Sequence, residues 1–426
     1  MTLLVAQANL LKLPLVKREQ PSSRRMSRLS TNSSSLLPPS LNFFPVPMKG
    51  NFPSDGEYYV EVLIGGQPLT LLVDTGSSDV GVNGKDCTGC KKKDDKPYEP
   101  SSTATPFGCD WCTAHKLNET TTTCTSRPNL KEKQCVMVLK YEDGSGFTSA
   151  LWNDTFTFGR NSSQPTTGSV VGAIYKADFS NPKTIDGIVG LADYTESATG
   201  HAGPFQDLVA TGQIDDVFSM CLHDVGGDIY FGSDDTGALS NDNTQWTPRV
   251  QGNGFYSVEI TDVKLDGQSI GVAPKIYNTG FSIVDSGTQD VVFPKTAFHA
   301  LKQAFFNLCS SKCLVGICNC KTKKKAFTTM FDLACFDMTE EERMAFPDVT
   351  IEMSGGVSLR HTPSEYLRNG SSFFCKKGKY TIGLEGQGDG EGTILGDTFM
   401  QGFLTTFDRR EPQRIGFTPV SNRNCP

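Results

Sequence analysis

Apolar and polar positions alternate through Tyr58-Tyr59-Val60-Glu61-Val62-Leu63-Ile64. A turn signal, Gly65-Gly66-Gln67-Pro68, follows, and an apolar run from Leu69 to Val73 comes next. Period-two alternation bounded by Gly and Pro predicts a hairpin of two strands. The pattern returns in the second half. There Tyr256-Ser257-Val258-Glu259-Ile260-Thr261-Asp262-Val263 leads to the turn Asp266-Gly267-Gln268, and Phe281-Ser282-Ile283-Val284 is the later apolar run. Both apolar runs stop at an aspartate within a small polar cluster, Asp74-Thr75-Gly76-Ser77-Ser78 and Asp285-Ser286-Gly287-Thr288. Further on, each half carries an apolar pair closed by glycine: Ile188-Val189-Gly190, 116 residues after Asp74, and Ile394-Leu395-Gly396, 111 residues after Asp285. Two motifs repeated at near-equal spacing form an internal repeat. They predict two similar lobes, one over residues 51–245 and one over 246–426. Long helical periodicities are scarce, so the fold class is mostly β.

The chemistry follows from the repeated aspartates. One Asp-Thr-Gly is an ordinary turn composition; two copies, each ending a strand, bring two carboxylates face to face. Adjacent carboxylates cannot both ionise easily, so the pair shares one proton. One member can take a proton from water while the other donates to a carbonyl, which is the acid–base pair that peptide hydrolysis without a covalent intermediate requires.

At 426 residues the chain is long enough for two cores. Its formal charge is −7, unevenly spread: residues 1–50 hold seven Lys/Arg and one Glu, a net of +6, so the remainder carries −13. An acidic body argues against nucleic-acid binding. The basic stretch reads as a prosegment that covers an acidic cleft until acid pH discharges the carboxylates, with Lys12 or Lys17 as the residue reaching the dyad. The alternative is a disordered basic tail, because residues 30–40 are rich in Ser and Pro. Fourteen cysteines and five Asn-x-Ser/Thr sites (Asn32, Asn118, Asn153, Asn161 and Asn369) point to the secretory pathway, ending outside the cell or in a lysosome or vacuole. Met1–Ala8 ends in a passable signal-cleavage pattern, but its apolar part is too short for a signal peptide, which suggests a truncated leader or an unusual route. No apolar run reaches the length of a membrane-spanning helix. The five histidines lack ligand spacing, so no metal or other cofactor is expected.

The chain resembles the pepsin family of aspartic proteases over roughly residues 55–426. The resemblance rests on both Asp motifs, on Thr393-Ile394-Leu395-Gly396-Asp397-Thr398-Phe399, on Phe407-Asp408-Arg409 and Ile415-Gly416-Phe417, and on Phe346-Pro347-Asp348-Val349 with Thr362-Pro363-Ser364-Glu365-Tyr366. It implies a bilobal pepsin-like fold with the cleft between lobes. The activity it implies is that of an aspartic endopeptidase, made as a zymogen, acting on protein or peptide substrates at acid pH with Asp74 and Asp285 as catalysts. Thr75 and Ser286 would bond across the lobe interface. Gly76 and Gly287 would turn the backbone and present amides, and Ser77 and Thr288 would orient the outer carboxylate oxygens. Tyr141, Asp143 and Gly144 fall where the family keeps its substrate-covering flap. With both motifs on one chain, a monomer suffices. A binding protein on the same scaffold would usually have lost one of the Asp motifs, and neither is damaged here.

Three departures stand out. The tryptophan that many relatives carry shortly after the first Asp is absent from Asp79-Val80-Gly81-Val82, as in the β-secretase branch. Gln289-Asp290 sets another acid beside the second motif, which either raises the dyad or points away. The Lys- and Cys-rich stretch from Cys309 to Lys325 has no evident role. Cys87-x-x-Cys90 and Cys109-x-x-Cys112, 18 residues apart, fit a structural zinc spacing. Against zinc, Cys124 and Cys135 follow closely, and the likeness of Tyr98-Glu99-Pro100-Ser101-Ser102-Thr103 to the nepenthesin-type insert implies disulfides. The same resemblance pairs Cys335 with Cys375, and Cys221 with Cys425.

Overall fold

The computed structural model describes residues 43–51, 56–90, 97–114, 122–126, 133–141, 144–161, 163–178, 186–201, 203–232, 240–370, 375–376 and 378–420. The leader up to residue 42, the flap acid Asp143 and Cys425 lie outside them. Among the described residues strand far outweighs helix, with one 15-stranded sheet and smaller sheets of five, four, three and two strands.

The repeated hairpins are built alike. Strand Tyr59–Ile64 buries Val60, Val62 and Ile64 on one face, and it meets strand Gln67–Asp74 with Ile64 opposite Gln67. Only Gly65 and Gly66 connect them, both at positive φ (59° and 78°), the conformation that lets a two-residue loop match strand twist. In the second half, Ile260–Leu265 turns through Asp266 and Gly267 (φ 53° and 77°) to Gln268 in the same way. The stretch expected as one strand from Tyr256 is two pieces, Ser257–Val258 and Ile260–Leu265. The segment Phe43–Asn51, all but its last residue read from sequence as part of the basic leader (residues 1–50), is a strand between Tyr59–Ile64 and Val225–Gly232.

The halves are joined through the large sheet. Strand Phe403–Asp408, late in the chain, pairs with Val217–Leu222, and Phe218 stacks on Phe407 with ring centroids 4.6 Å apart. Tyr256, Phe205 and Phe231 surround that stack. Truncating a buried Phe in such a cluster costs about 3–5 kcal/mol, so this seam resists separation of the halves. The longest helix among the described residues, Lys295–Leu308, turns Ala297, Leu301 and Phe305 inward at four-residue spacing.

Candidate active site

Each aspartate ends a strand that lies parallel to the apolar pair of its own half. Val189 and Gly190 lie beside Val73 and Asp74, while Ile394 and Leu395 lie beside Ile283 and Val284. Backbone bonds fix each loop from behind: Leu191 N donates to Asp74 O (2.7 Å), and Asp285 N donates to Leu395 O (3.1 Å). The repeat seen as spacing is thus a repeat of support.

Both carboxylates are fully buried, and each acts on the other. Their inner shells match. Gly76 N donates to Asp74 Oδ1 and Gly287 N to Asp285 Oδ1, each at 2.8 Å. Ser77 Oγ donates to Asp74 Oδ2, and Thr288 Oγ1 donates to Asp285 Oδ2 at 2.6 Å. The loops are tied reciprocally across the two halves. Thr75 Oγ1 donates to Val284 O (3.0 Å) and accepts from Ser286 N (2.9 Å); Ser286 Oγ donates to Val73 O (2.8 Å) and accepts from Thr75 N (3.2 Å). Four buried bonds therefore fix the separation of the two aspartates.

Gly76 is needed for room rather than for turning. Its φ is not positive, but a Cβ there would lie 2.6 Å from Asp285 Oδ1 and 2.7 Å from its Cγ.

Burial raises the pKa of Asp74 well above the usual carboxylate range, and the neighbouring Asp285 raises it further against the bonds from Ser77 and Gly76. Burial also raises Asp285, opposed by Thr288, Gly287 and Asp74. Such a pair holds one proton in common, and aspartic proteases are the usual illustration of the effect. The sequence reading missed a third buried carboxyl. Asp397 is raised by burial and then by Asp285, Glu57, Asp290 and Asp74. Its position after Gly396 closed the second motif, but spacing alone could not bring it to the dyad.

Asp290 turns to Arg368, whose Nη1 lies 2.5 Å from Asp290 Oδ2, while Nη2 donates to Gln289 at 3.3 Å. Of the two alternatives, then, Asp290 points to a cation, and it also raises Asp397.

Tyr141 follows strand Lys133–Lys140, which pairs with strand Gly146–Phe158. Tyr141 N donates to Ser145 O (2.8 Å), and Gly144, at φ 82°, donates to Tyr141 O (3.0 Å), closing the hairpin tip. The Tyr141 ring is buried 6.2 Å from that of Phe147. The end of the Phe147 ring fills the space beside Gly81, where a Cβ would come within 2.5 Å of it.

In the cysteine-rich insert, Cys87 bonds Cys90, Cys109 bonds Cys124 and Cys112 bonds Cys135, so these sulfurs are engaged in disulfides rather than zinc. Cys309–Cys318, Cys313–Cys320 and Cys335–Cys375 are further bridges, and Cys221 is also disulfide-bonded. These bridges indicate an oxidising secretory route. Among the described residues no group of His, Cys, Asp and Glu is arranged to hold a metal ion, and no helix is long and apolar enough to cross a membrane.

The pattern of the eukaryotic aspartyl protease family matches residues 57–420. Aspartic proteinase 36 of Arabidopsis thaliana is 25% identical over 431 aligned positions, covering 94% of this chain and 81% of the relative. Aspartic proteinase 39 of the same plant is 25% identical, covering 89% and 77%. A beta-secretase of Strongylocentrotus purpuratus is 26% identical, covering 87% and 67%. With a match over nearly its whole length and a mostly β fold that agrees with it, the chain belongs to the eukaryotic aspartyl protease family, hydrolases that act on peptide bonds.

Proposed function

We propose that the chain is an acid-active endopeptidase in which Asp74 and Asp285 activate a water molecule between them. The single observation carrying this is the pair of buried carboxylates in matching hydrogen-bond shells. With one proton on the pair, the ionised member takes a proton from water as it attacks the scissile carbonyl. The protonated member donates to the carbonyl oxygen, and later proton transfer to the amine releases the product. Neutral pH strips the shared proton and removes the acid, so activity belongs to the acid range. A protein substrate binds extended in the cleft, its backbone pairing with strand edges and with the hairpin carrying Tyr141. Residues before the body act as a prosegment, whose positive charge complements the acidic body and lets go as carboxylates are protonated. Disulfides and sequons favour secretion or delivery to a lysosome or vacuole.

Cleavage of an unfolded protein at acid pH by wild type, Asp74→Asn and Asp285→Asn, each with and without pepstatin, tests the reading. Activity abolished by either substitution and by the inhibitor is expected. Substantial cleavage by either Asn variant would overturn it.

A further inference from the structure

From Lys295 to Phe327 the chain holds seven lysines and neither Asp nor Glu, although the whole chain carries −7. This stretch is a folded unit. Helix Lys295–Leu308 runs into a loop stapled by Cys309–Cys318 and Cys313–Cys320, and strands Cys318–Asn319 and Lys324–Lys325 pair as a small hairpin. The hairpin packs back on the helix: Lys325 Nζ sits 4.5 Å from the centre of the Phe306 ring, and Ala326 N donates to Ile317 O. Phe331 locks the far side against Phe298, Phe305 and Phe306.

Some of the positive charge is met locally. Lys312 pairs with Asp266 at 2.7 Å, Lys302 and Lys325 act on Asp332, and Lys295 acts on Asp389. Lys321, Lys323 and Lys324 have no acidic partner among the described residues, and all three are exposed at the hairpin turn. Beside them Phe327 is 102% exposed and Leu333 is 66% exposed. An exposed ring beside three cations without acidic partners combines a positive patch with an apolar group, a composition that suits an anionic surface with an apolar layer beneath it.

We infer that the Lys321–Phe327 hairpin docks the protease on an anionic phospholipid bilayer. The lysines would lie among the headgroups, with Phe327 entering the boundary between headgroup and acyl chain. Charge complementarity selects an anionic partner, and the exposed phenyl selects the bilayer over an acidic polysaccharide, which offers no apolar layer. The disulfides matter because a pre-ordered hairpin does not pay the cost of ordering on contact. This surface lies outside the dyad, so the inference is independent of the proposed mechanism.

The test is co-sedimentation of the full chain with phosphatidylcholine vesicles, with and without phosphatidylserine, at low and at high salt. Binding only to the serine-containing vesicles, weakened by salt, is expected. Each lysine near an anionic surface contributes about fivefold to partitioning. Joint replacement Lys321→Glu, Lys323→Glu and Lys324→Glu should therefore lower it by at least about a hundredfold. Phe327→Ser should lower it several-fold, and both variants should hydrolyse a short soluble peptide at the wild-type rate. No binding to anionic vesicles, or binding unchanged by the charge reversal, overturns the inference. So does a dimer in solution that the charge reversal dissolves without any vesicle binding, because the patch would then belong to a second copy.

Discussion

Replacing Gly76 with alanine adds one carbon at the tightest point between the two aspartates. That Cβ would meet Asp285 Oδ1 at 2.6 Å, Cγ at 2.7 Å and Oδ2 at 2.9 Å, whereas ordinary contact begins near 3.4 Å. The Asp285 carboxylate must retreat by about 0.8 Å, or the Gly76 loop must back away by as much. Neither is free, because Asp285 is held by Thr288 and Gly287 and the Gly76 loop by Thr75 and Ser286. Displacement of about 1 Å in a catalytic constellation costs on the order of a hundredfold in rate. Here it also separates the carboxylates that share the proton. Overpacking costs about 1–3 kcal/mol. The prediction is a fall in kcat/KM of at least about a hundredfold with a small loss in Tm, read by peptide hydrolysis and thermal melting. Gly66→Ala is the control: it is strained at φ 78°, but nothing lies within 4 Å of the added carbon, so it should lose stability and keep its rate. Gly76→Ala retaining activity within about threefold of wild type would refute the claim that this contact sets the dyad.

Gly81→Ala should push the Phe147 ring against Tyr141 and lower kcat/KM, and the shorter Leu in Gly81→Ala/Phe147→Leu should restore part of it; a double variant no better than Gly81→Ala alone would contradict this packing. Asp154 is buried and accepts from Tyr98 (2.8 Å), Ser101 N (3.0 Å), Ser101 Oγ (2.7 Å) and Thr155 N (2.8 Å), so Asp154→Ala should cost about 3 kcal/mol or more by denaturant unfolding. Cys335–Cys375 closes a loop of sequence separation 40, and replacing both cysteines with serine should cost about 4 kcal/mol in the chain-entropy account, measured the same way. Asp74, Asp79, Asp285 and Asp397 all have folded pKa values raised chiefly by burial. Between the unfolded and folded pKa values the native state binds more protons, so stability falls as pH rises, by up to about 1.4 kcal/mol per pH unit for each group. Asp408, lowered by Arg410 and Arg414, works the other way and loses its contribution only as pH drops through its folded value. Tm should therefore decline from mildly acid to neutral pH, and Asp397→Asn should flatten that decline; a Tm that climbs toward neutrality would count against the buried-acid reading.

The repeated hairpins were legible because their turns depend on local chemistry: Gly65-Gly66 and Asp266-Gly267 are residues that accept positive φ, and alternation around them sets the buried face. The dyad was legible for a related reason, since each Asp motif sits at the end of its strand. What the chain did not display were the contacts made across long separations. Nothing near Asp290 announces Arg368, 78 positions away, so its direction stayed open until geometry decided it. Asp397 read only as the end of a motif, and its closeness to Asp285 arises within the second half, where Asp397 N donates to Thr288 O (2.8 Å) across more than a hundred positions. Phe147 filling the space beside Gly81 follows from strand order, with Thr166–Asp178 pairing both Val80–Thr88 and Gly146–Phe158, which local patterning does not encode. The zinc-like spacing of the first four cysteines was misleading in isolation, because Cys124 and Cys135 supply the partners that complete the bridges.

The most direct test of the shared-proton dyad is the dependence of kcat/KM on pH for the wild-type enzyme, with Thr288→Val measured alongside. Thr288 bonds the outer oxygen of Asp285 and lowers its pKa, so removing that hydroxyl should move the profile upward in pH. The account predicts a bell lying wholly on the acid side of neutrality, with its limbs belonging to the pair, and an upward shift in the variant. A rate that keeps rising through neutral pH, or a profile that Thr288→Val leaves in place, would contradict it.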